Sequence, residues 1–353
     1  MSNKINRNTI LDYNDNTKSN NKPKKKKQNR IQNWTEYNQG LVKRGDITLL
    51  VSPAVFLPPK NTKKVGRKQE YSDALIQFLV ELREILQTPF RQTIGLARTL
   101  AVLQGVKLPS YNRLCVRMQE LKIEQKLDHR RFKKPICLLV DSTGLKTKGE
   151  GEWKVRKHGI GYRRGWKKLH ITVDYTTQLI TAHMSTTETV VDQDALPNLI
   201  DTTLEQGISI EQIIGDGAYS SHSLYTEVEK ERGVRLLSPP RKNAKLHVKF
   251  AKTHPGRGGS GGKYAEFVDK EGWETYNEYL RGCLHLGFDE WKNQIGYHKR
   301  SIAETAMGRL KSAFSDRLKS KSNHNQTTEI AIRIRLLNLW TAQNQHNYKA
   351  TTT

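Results

Sequence analysis

Three carboxylates stand out by type and setting. Asp141 directly follows the apolar run Ile136-Cys-Leu-Leu-Val140. Asp216 sits in Gly215-Asp216-Gly217-Ala218-Tyr219, just after the apolar stretch 210–214. Glu304 lies in a segment spaced Tyr297, Arg300, Glu304, Lys311. Oxygen donors of this kind suit hard divalent cations. A pair of such ions can stabilise both the entering and the leaving oxygen of a phosphodiester. Each residue also has an ordinary structural explanation. An Asp after a strand forms turns or caps helices. Arg300 and Glu304 form an i,i+4 pair, which stabilises a helix by only a few tenths of a kcal/mol.

These residues need elements to hold them, and the patterning supplies candidates. The run 136–140 reads as a buried central strand. Residues 168–175 and 178–185 read as two strands joined by a turn at Thr176-Thr177. A helix over 193–206, a strand over 210–214, a helix over 221–232 and a strand over 234–238 follow, with a last helix over 301–319. The order β-β-β-α-β-α-β suits an α/β fold, a mixed sheet of RNase H type flanked by helices. Asp141 and Asp216 then lie at the C-terminal edges of strands, where open α/β sheets place their sites. At about 100° per residue, Tyr297, Arg300, Glu304 and Lys311 fall within roughly 60° of helical arc. Ala303, Met307, Leu310 and Phe314 form an apolar stripe beside them.

Upstream, residues 72–125 read as three helices: one from Ser72 and Asp73 to Pro89, one over 91–104, and one over 110–121 capped by Ser110. Three short helices ending in a basic one resemble a helix-turn-helix module, with Arg113 and Arg117 facing DNA. An ordinary helical packing domain fits as well. Ile47–Val51 reads as a short strand before Pro53, Pro58 and Pro59. The expected organisation is a disordered basic arm over 1–30, an N-terminal helical DNA-binding region over 31–133, and a catalytic domain over 134–340. That domain carries an irregular insertion at 241–296, and a polar tail over 341–353 follows. Gly256–Gly262 fails as a P-loop, because Lys263 is followed by Tyr264.

Charge bounds the partner. The chain of 353 residues has 60 Lys and Arg against 35 Asp and Glu, a formal net charge of +25. Nucleic acid is the commonest polyanion for so basic a protein. After Asp141, Lys146, Lys154, Arg156, Arg163, Arg164, Lys167 and Lys168 interleave with Trp153, Tyr162 and Trp166. Cations among aromatics suit a phosphate backbone with unstacked bases. Cys115, Cys137 and Cys283 form no CxxC pair, so neither a zinc site nor a disulfide framework is expected. The N-terminus lacks the apolar stretch of a signal peptide, and no apolar run approaches the ~18 residues of a membrane span.

Together the motifs resemble those of insertion-sequence transposases of the IS-four/IS-five superfamily, on the IS-five branch. The signature Tyr, two residues, Arg, three residues, Glu, six residues, Lys is met by Tyr297, Arg300, Glu304 and Lys311. Asp141-Ser-Thr-Gly-Leu-Lys146 resembles the first-aspartate motif and Asp216-Gly-Ala-Tyr219 the second. Trp34 to Gly45 resembles the N-terminal region of that branch, and Ser220 stands where many relatives carry Asp. The resemblance spans roughly 31–340. It implies a DDE transposase that cleaves at element ends and transfers strands into target DNA. Asp141, Asp216 and Glu304 would be catalytic and hold metal, with two Mg2+ ions expected and Mn2+ as a substitute. Tyr297, Arg300 and Lys311 would contact DNA. The implied partners are double-stranded DNA, as terminal inverted repeats and target, and a second copy in a homodimeric synaptic complex. The implied setting is a bacterial cytoplasm at the nucleoid, without a membrane. An RNase H-like nuclease or resolvase, and a DNA-binding derivative without catalysis, are the competing classes.

Overall fold

The computed structural model describes residues 33–59, 69–125, 127–132, 134–147, 165–241, 243–255 and 263–344. The basic arm, the glycine-rich stretch 256–262, and Lys154, Arg156, Arg163 and Arg164 lie outside them.

The first half is helical. Helix α1 (Trp34–Lys43) opens on Asn33, whose side chain accepts from Glu36 N. Helix α2 (Asp73–Leu86) is capped by Ser72 and buries Leu75, Ile76, Phe78, Leu79 and Leu82. It stops at Gln87, which takes a left-handed φ of 54°. Helices α3 (Phe90–Thr99) and α4 (Tyr111–Glu120) pack on it. The second helix is shorter than its periodicity predicts, since Ala101–Leu103 turns as a 3-10 helix. Ile47–Leu50 is also a 3-10 turn and not a strand, because Asp46 caps it by accepting from Thr48 N.

A five-stranded mixed sheet follows, in the order β3-β2-β1-β4-β5. Strand β1 (Ile136–Lys146) is central. It pairs antiparallel with β2 (Trp166–Asp174) and, over Ile136–Leu139, parallel with β4 (Ile210–Ile214). Strand β3 (Ile180–Thr187) closes one edge and β5 (Arg235–Leu237) the other. The β2–β3 turn contains the expected Thr176-Thr177 but is wider, running from Tyr175 to Leu179, because Asp174 captures it. Its carboxylate accepts from both the backbone N and the hydroxyl of Thr177, and Gln178 adopts φ 55°. Helix α5 (Asp192–Glu205) crosses between β3 and β4. Helix α6 (His222–Tyr225) runs into a π-helical stretch, Thr226–Glu231, before β5.

The insertion is regular, contrary to expectation. It holds a hairpin of β6 (Val248–Pro255) and β7 (Lys263–Asp269), then α7 (Glu274–Leu286) and α8 (Phe288–Gln294). Trp291 is buried there against Gly282, where an added Cβ would meet its ring at 2.6 Å. Helix α9 (Ser301–Phe314) ends earlier than predicted, at Ser315 with φ 70°. The last helix, α10 (Asn323–Asn344), runs past the expected boundary at residue 340 and lies against α2, α4 and β3.

Helix α10 joins the two halves into one hydrophobic core. Its Asn338 clamps the sheet edge, accepting from Ile180 N and donating to Ile180 O. Its Glu329 and Arg333 meet Glu84 and Arg83 of α2 in a buried cluster of four charges, each at most 3% exposed. Every member of the cluster has an opposite charge beside it. Removing one partner of a buried ion pair strands the others and costs about 3–5 kcal/mol. Arg333→Met is therefore expected to lower unfolding stability by about 3–5 kcal/mol in urea titrations. A loss below about 1 kcal/mol, the range of a surface pair, would show that the cluster does not hold the halves together.

Candidate active site

The site forms where β1 and β4 part. Their last paired residues are Leu139 and Ile214. Asp141 lies two positions beyond on β1, and Asp216 two beyond on β4. Strand β1 does not end at Asp141, as its apolar run suggests, but continues to Lys146 against β2. The two carboxylates thus share one sheet edge. Gly215 makes the close approach possible, since a Cβ there would meet the Tyr219 ring at 2.7 Å and Val140 Cγ1 at 2.9 Å. Asp216 Oδ1 accepts from Ala218 N at 2.8 Å, capping the 3-10 turn Gly217–Tyr219. Ser238 Oγ donates to the Asp216 carbonyl at 2.5 Å.

Arg300 connects α9 to this edge. One guanidinium nitrogen stands 3.7 Å from Asp141 Oδ1 while the other donates to Glu304. Tyr297 and Arg300 belong to a 3-10 turn, Tyr297–Arg300, that precedes α9, so the signature is split between two elements. It is still drawn together: Arg300 lies 6.0 Å from the Tyr297 ring centre. Burial raises the Tyr297 phenol; Arg300 opposes this, and the charges of Asp216 and Glu304 add to it. Lys311 is half-buried further along α9, beside Asp316, whose carboxylate it helps Lys146 to hold low.

Among the described residues, no group of three or more His, Cys, Asp or Glu side chains stands close enough to hold a metal ion. Glu304 is turned to Arg300, and the guanidinium lies between it and Asp141. The donors are hard carboxylate oxygens, and Arg300 already supplies positive charge among them. Both features fit a divalent ion of the magnesium class.

Other predicted contacts divide. Arg113 is exposed on α4. Arg117 is not available to DNA: it is 1% exposed, donates to the Tyr71 carbonyl, and pairs with Asp73 and Glu120. Lys167 is likewise turned inward, donating to Asn323 and Thr327 of α10, and burial lowers its ammonium. Lys146 pairs with Asp316 at 2.5 Å and stands 5.9 Å from the Trp166 ring.

Asp192, at the start of α5, was not anticipated. It stands 3.0 Å from Lys168 Nζ and 3.3 Å from His170 Nδ1. Burial pushes its carboxyl up, but hydrogen bonds from His170, Ser142 and Lys168 more than offset this and hold it well below the usual carboxylate range. The signal was an acidic pair, Asp192 and Asp194, in the first turn of a helix, which normally reads only as a dipole effect. Tyr219 is buried near Asp192, Asp216 and Asp141. Burial first, and those three charges next, push its phenol far above the ordinary range.

Burial also raises Asp141. The Ser142 N–H and Arg300 oppose it, while Asp216 and Glu304 add repulsion. A carboxyl raised in the fold contributes stability that is complete below its ordinary pKa and is lost as pH rises through the raised value. In metal-free protein, Asp141→Asn is therefore expected to raise Tm at neutral pH, with the difference shrinking toward acid. Thermal melts across that range check this; a lower Tm at neutral pH would mean that Arg300 outweighs the burial.

Residues 132–339 match the family described as Transposase DDE domain, and residues 42–150 match a second family of the same description. Among solved structures, the piggyBac transposase synaptic complex with hairpin DNA is similar at a TM-score of 0.40 and 11% identity, over 90% of this chain and 73% of that one. The Drosophila P element transposase strand transfer complex gives 0.32 and 14%, over 85% and 71%. The matched segment 132–339 covers more than half of the sequence and contains Asp141, Asp216 and Glu304, and the chain belongs to the DDE transposase domain family.

Proposed function

We propose that Asp141, Asp216 and Glu304 are the catalytic carboxylates of this DNA transposase, which cleaves phosphodiester bonds at element ends and transfers the strand into target DNA. The observation that carries this assignment is Arg300, held between Asp141 and Glu304 at the fork beside Asp216. Two acidic groups from separate elements meet on one cation, with the third at the same fork, as a site built for positive charge requires. The sheet order, with β2 antiparallel to a central β1 and β4 parallel to it, supports an RNase H-like core. The four motifs support the IS-five branch of the IS-four/IS-five superfamily.

Two Mg2+ ions, or Mn2+ in their place, would supply charge stabilisation to the entering and leaving oxygens. The chain's own residues then have distinct tasks. Asp141 and Asp216, fixed by the Ser142 and Ala218 N–H groups, would hold the ions from the sheet. Glu304, more exposed than either, completes the set from α9. Arg300 exchanges its carboxylate partners for the scissile phosphate, a planar donor fork suited to that oxygen geometry. Tyr297 supports that guanidinium, and Lys311 contacts the backbone further along the same helix. Arg113 on α4 and Lys146 remain candidates for contacts to the terminal repeat. Double-stranded DNA, as terminal inverted repeats and target, is the partner. A homodimer forms the synaptic complex, in a bacterial cytoplasm at the nucleoid. No helix among the described residues is long and apolar enough to cross a membrane.

Two experiments test the assignment. Asp141→Asn, Asp216→Asn and Glu304→Gln should each abolish Mg2+-dependent cleavage of an end-containing duplex and leave duplex binding nearly intact. A variant cleaving at close to the wild-type rate removes that residue from the site. Arg300→Ala should slow single-turnover cleavage at saturating DNA and Mg2+ by roughly ten- to a hundredfold, the worth of one charged contact of about 1.5–3 kcal/mol. A rate within about twofold of wild type would make Arg300 a side-chain partner of Glu304 and nothing more.

A further inference from the structure

Strand β1 has lost one neighbour by the time it reaches Asp141. Its parallel partner β4 pairs no further than Leu139, and from Asp141 to Leu145 β2 is its one ladder partner among the described residues. The fork therefore places Asp141 but leaves its stretch of strand to be steadied from the faces of the sheet. Successive strand residues alternate between faces, and residues paired across an antiparallel ladder share one. Asp141 and its partner Ile171 lie on one face. Ser142 and its partner His170 lie on the other, with Lys168 two residues along β2 and Thr186 beside it on β3.

Asp192, in the first turn of α5, meets that second face. Its Oδ1 stands 3.0 Å from Lys168 Nζ and 3.3 Å from His170 Nδ1, and its carboxylate accepts from the Ser142 hydroxyl. His170 is fully buried and meets the Thr186 hydroxyl through Nε2 at 2.9 Å. Lys168 also donates to the Val190 carbonyl at 3.1 Å, on the chain entering α5. A row of polar side chains thus crosses three strands and ends at Ser142. The backbone N–H of that same Ser142 donates to Asp141 Oδ1 at 3.0 Å. The row is not a nucleophilic triad, in which the imidazole stands next to the hydroxyl.

We propose that Asp192 is a positioning residue for the metal site and acts through Ser142: it holds the Ser142 hydroxyl on one face so that the Ser142 N–H keeps Asp141 aimed on the other. Metal ligands depend on the groups that orient them, and here the orienting group is a backbone N–H on a strand with one ladder neighbour. Attachment of α5 does not require Asp192, because Ala195, Leu196, Leu199 and Ile200 already bury that helix. A partly buried carboxylate with three polar partners adds little adhesion over apolar contact. The role as a ligand is closed to it by its place on the opposite face and by the Lys168 ammonium beside it. The proposal rests on the reading of Asp141 as a metal ligand, and its test separates the two.

Mn2+ binding by the full chain is followed by the EPR signal of the free ion, without DNA and without cleavage. Asp141→Asn should weaken binding sharply. Ser142→Ala leaves Asp192 and its ion pairs in place, and should raise the Mn2+ midpoint about three- to tenfold, the worth of one hydrogen bond. Ser142→Thr keeps the hydroxyl and should keep the wild-type midpoint. Asp192→Ala should raise the midpoint at least as far as Ser142→Ala. The double variant should go no further than Asp192→Ala alone, because the two residues act in series. The number of ions bound should not change. Thr186→Val, at the other end of the row, should lower Tm and leave the midpoint where it was. With binding weakened in Asp141→Asn, an unchanged midpoint in Ser142→Ala, additive losses in the double variant, or one ion fewer in Asp192→Ala each overturns the proposal alone. Wild-type affinity in Asp141→Asn, or no saturable binding by the unsubstituted chain, instead sinks the reading of Asp141 and takes the proposal with it.

Discussion

The buried charges Arg83, Glu84, Glu329 and Arg333 set what the rest of the molecule can do. Charges taken out of water are costly unless each finds a partner, and here each does, across helices 240 or more residues apart in sequence. Burial, and then the nearby Glu329 charge, push the Glu84 carboxyl up, while Arg333 and Arg83 pull it back. The cluster also reaches out through the backbone. Glu329 accepts from Lys319 N and Ser320 N, and Arg333 donates to the carbonyls of Ser315 and Arg317. The segment leaving α9 is thereby fixed, and it in turn pairs with Lys146 at the end of β1. The strand bearing Asp141 and the helix bearing Glu304 are held at their far ends by one polar network.

That arrangement suits a site whose proposed metal-binding residues come from different elements. Asp141 and Asp216 need only the β1–β4 fork, a local feature of the sheet. Glu304 must be brought there by α9, and among the described residues the side chain that ties it to the fork is Arg300. A pair that exposed contributes little to stability. Its position therefore has to come from the packing of Ala303, Ala306, Met307, Leu310 and Phe314 beneath it, and from the anchored segment that follows.

What the sequence made legible follows from how local each feature is. The order of elements along the chain could be read, because an apolar run and a β-α alternation are local patterns; that β1 continues past Asp141 to Lys146 could not. The Tyr297-to-Lys311 segment could be read as one helical face, although Tyr297 and Arg300 stand on a separate 3-10 turn. Helix α10 could not. Ile330, Ile332, Ile334 and Leu336 alternate as in a strand, and the helix is buried on several sides, so no single apolar stripe marks it. Basic residues were misjudged where their partners were distant. Lys167 meets Asn323 and Thr327 more than 150 residues later. Arg117 had a nearer clue: it shares a face with Leu114 and Met118, and charge alone outweighed that spacing in the reading.

Two carboxylates beside one buried tyrosine show how environment separates roles. Asp192 and Asp141 both lie near Tyr219. Asp192 is committed: Lys168, His170 and Ser142 surround it and hold it ionised, with the Lys168 ammonium already balancing its charge. Asp141 is the reverse case. Its one fixed donor is the neighbouring N–H, its cation stands 3.7 Å away, and its carboxyl is raised by burial and by Asp216 and Glu304. A group in that state gains most from an added cation, because the ion removes the repulsion and restores the ionised form together. Carboxylates so close in space can therefore divide, Asp192 into the scaffold and Asp141 into its proposed role in the chemistry, by the partners that each already has.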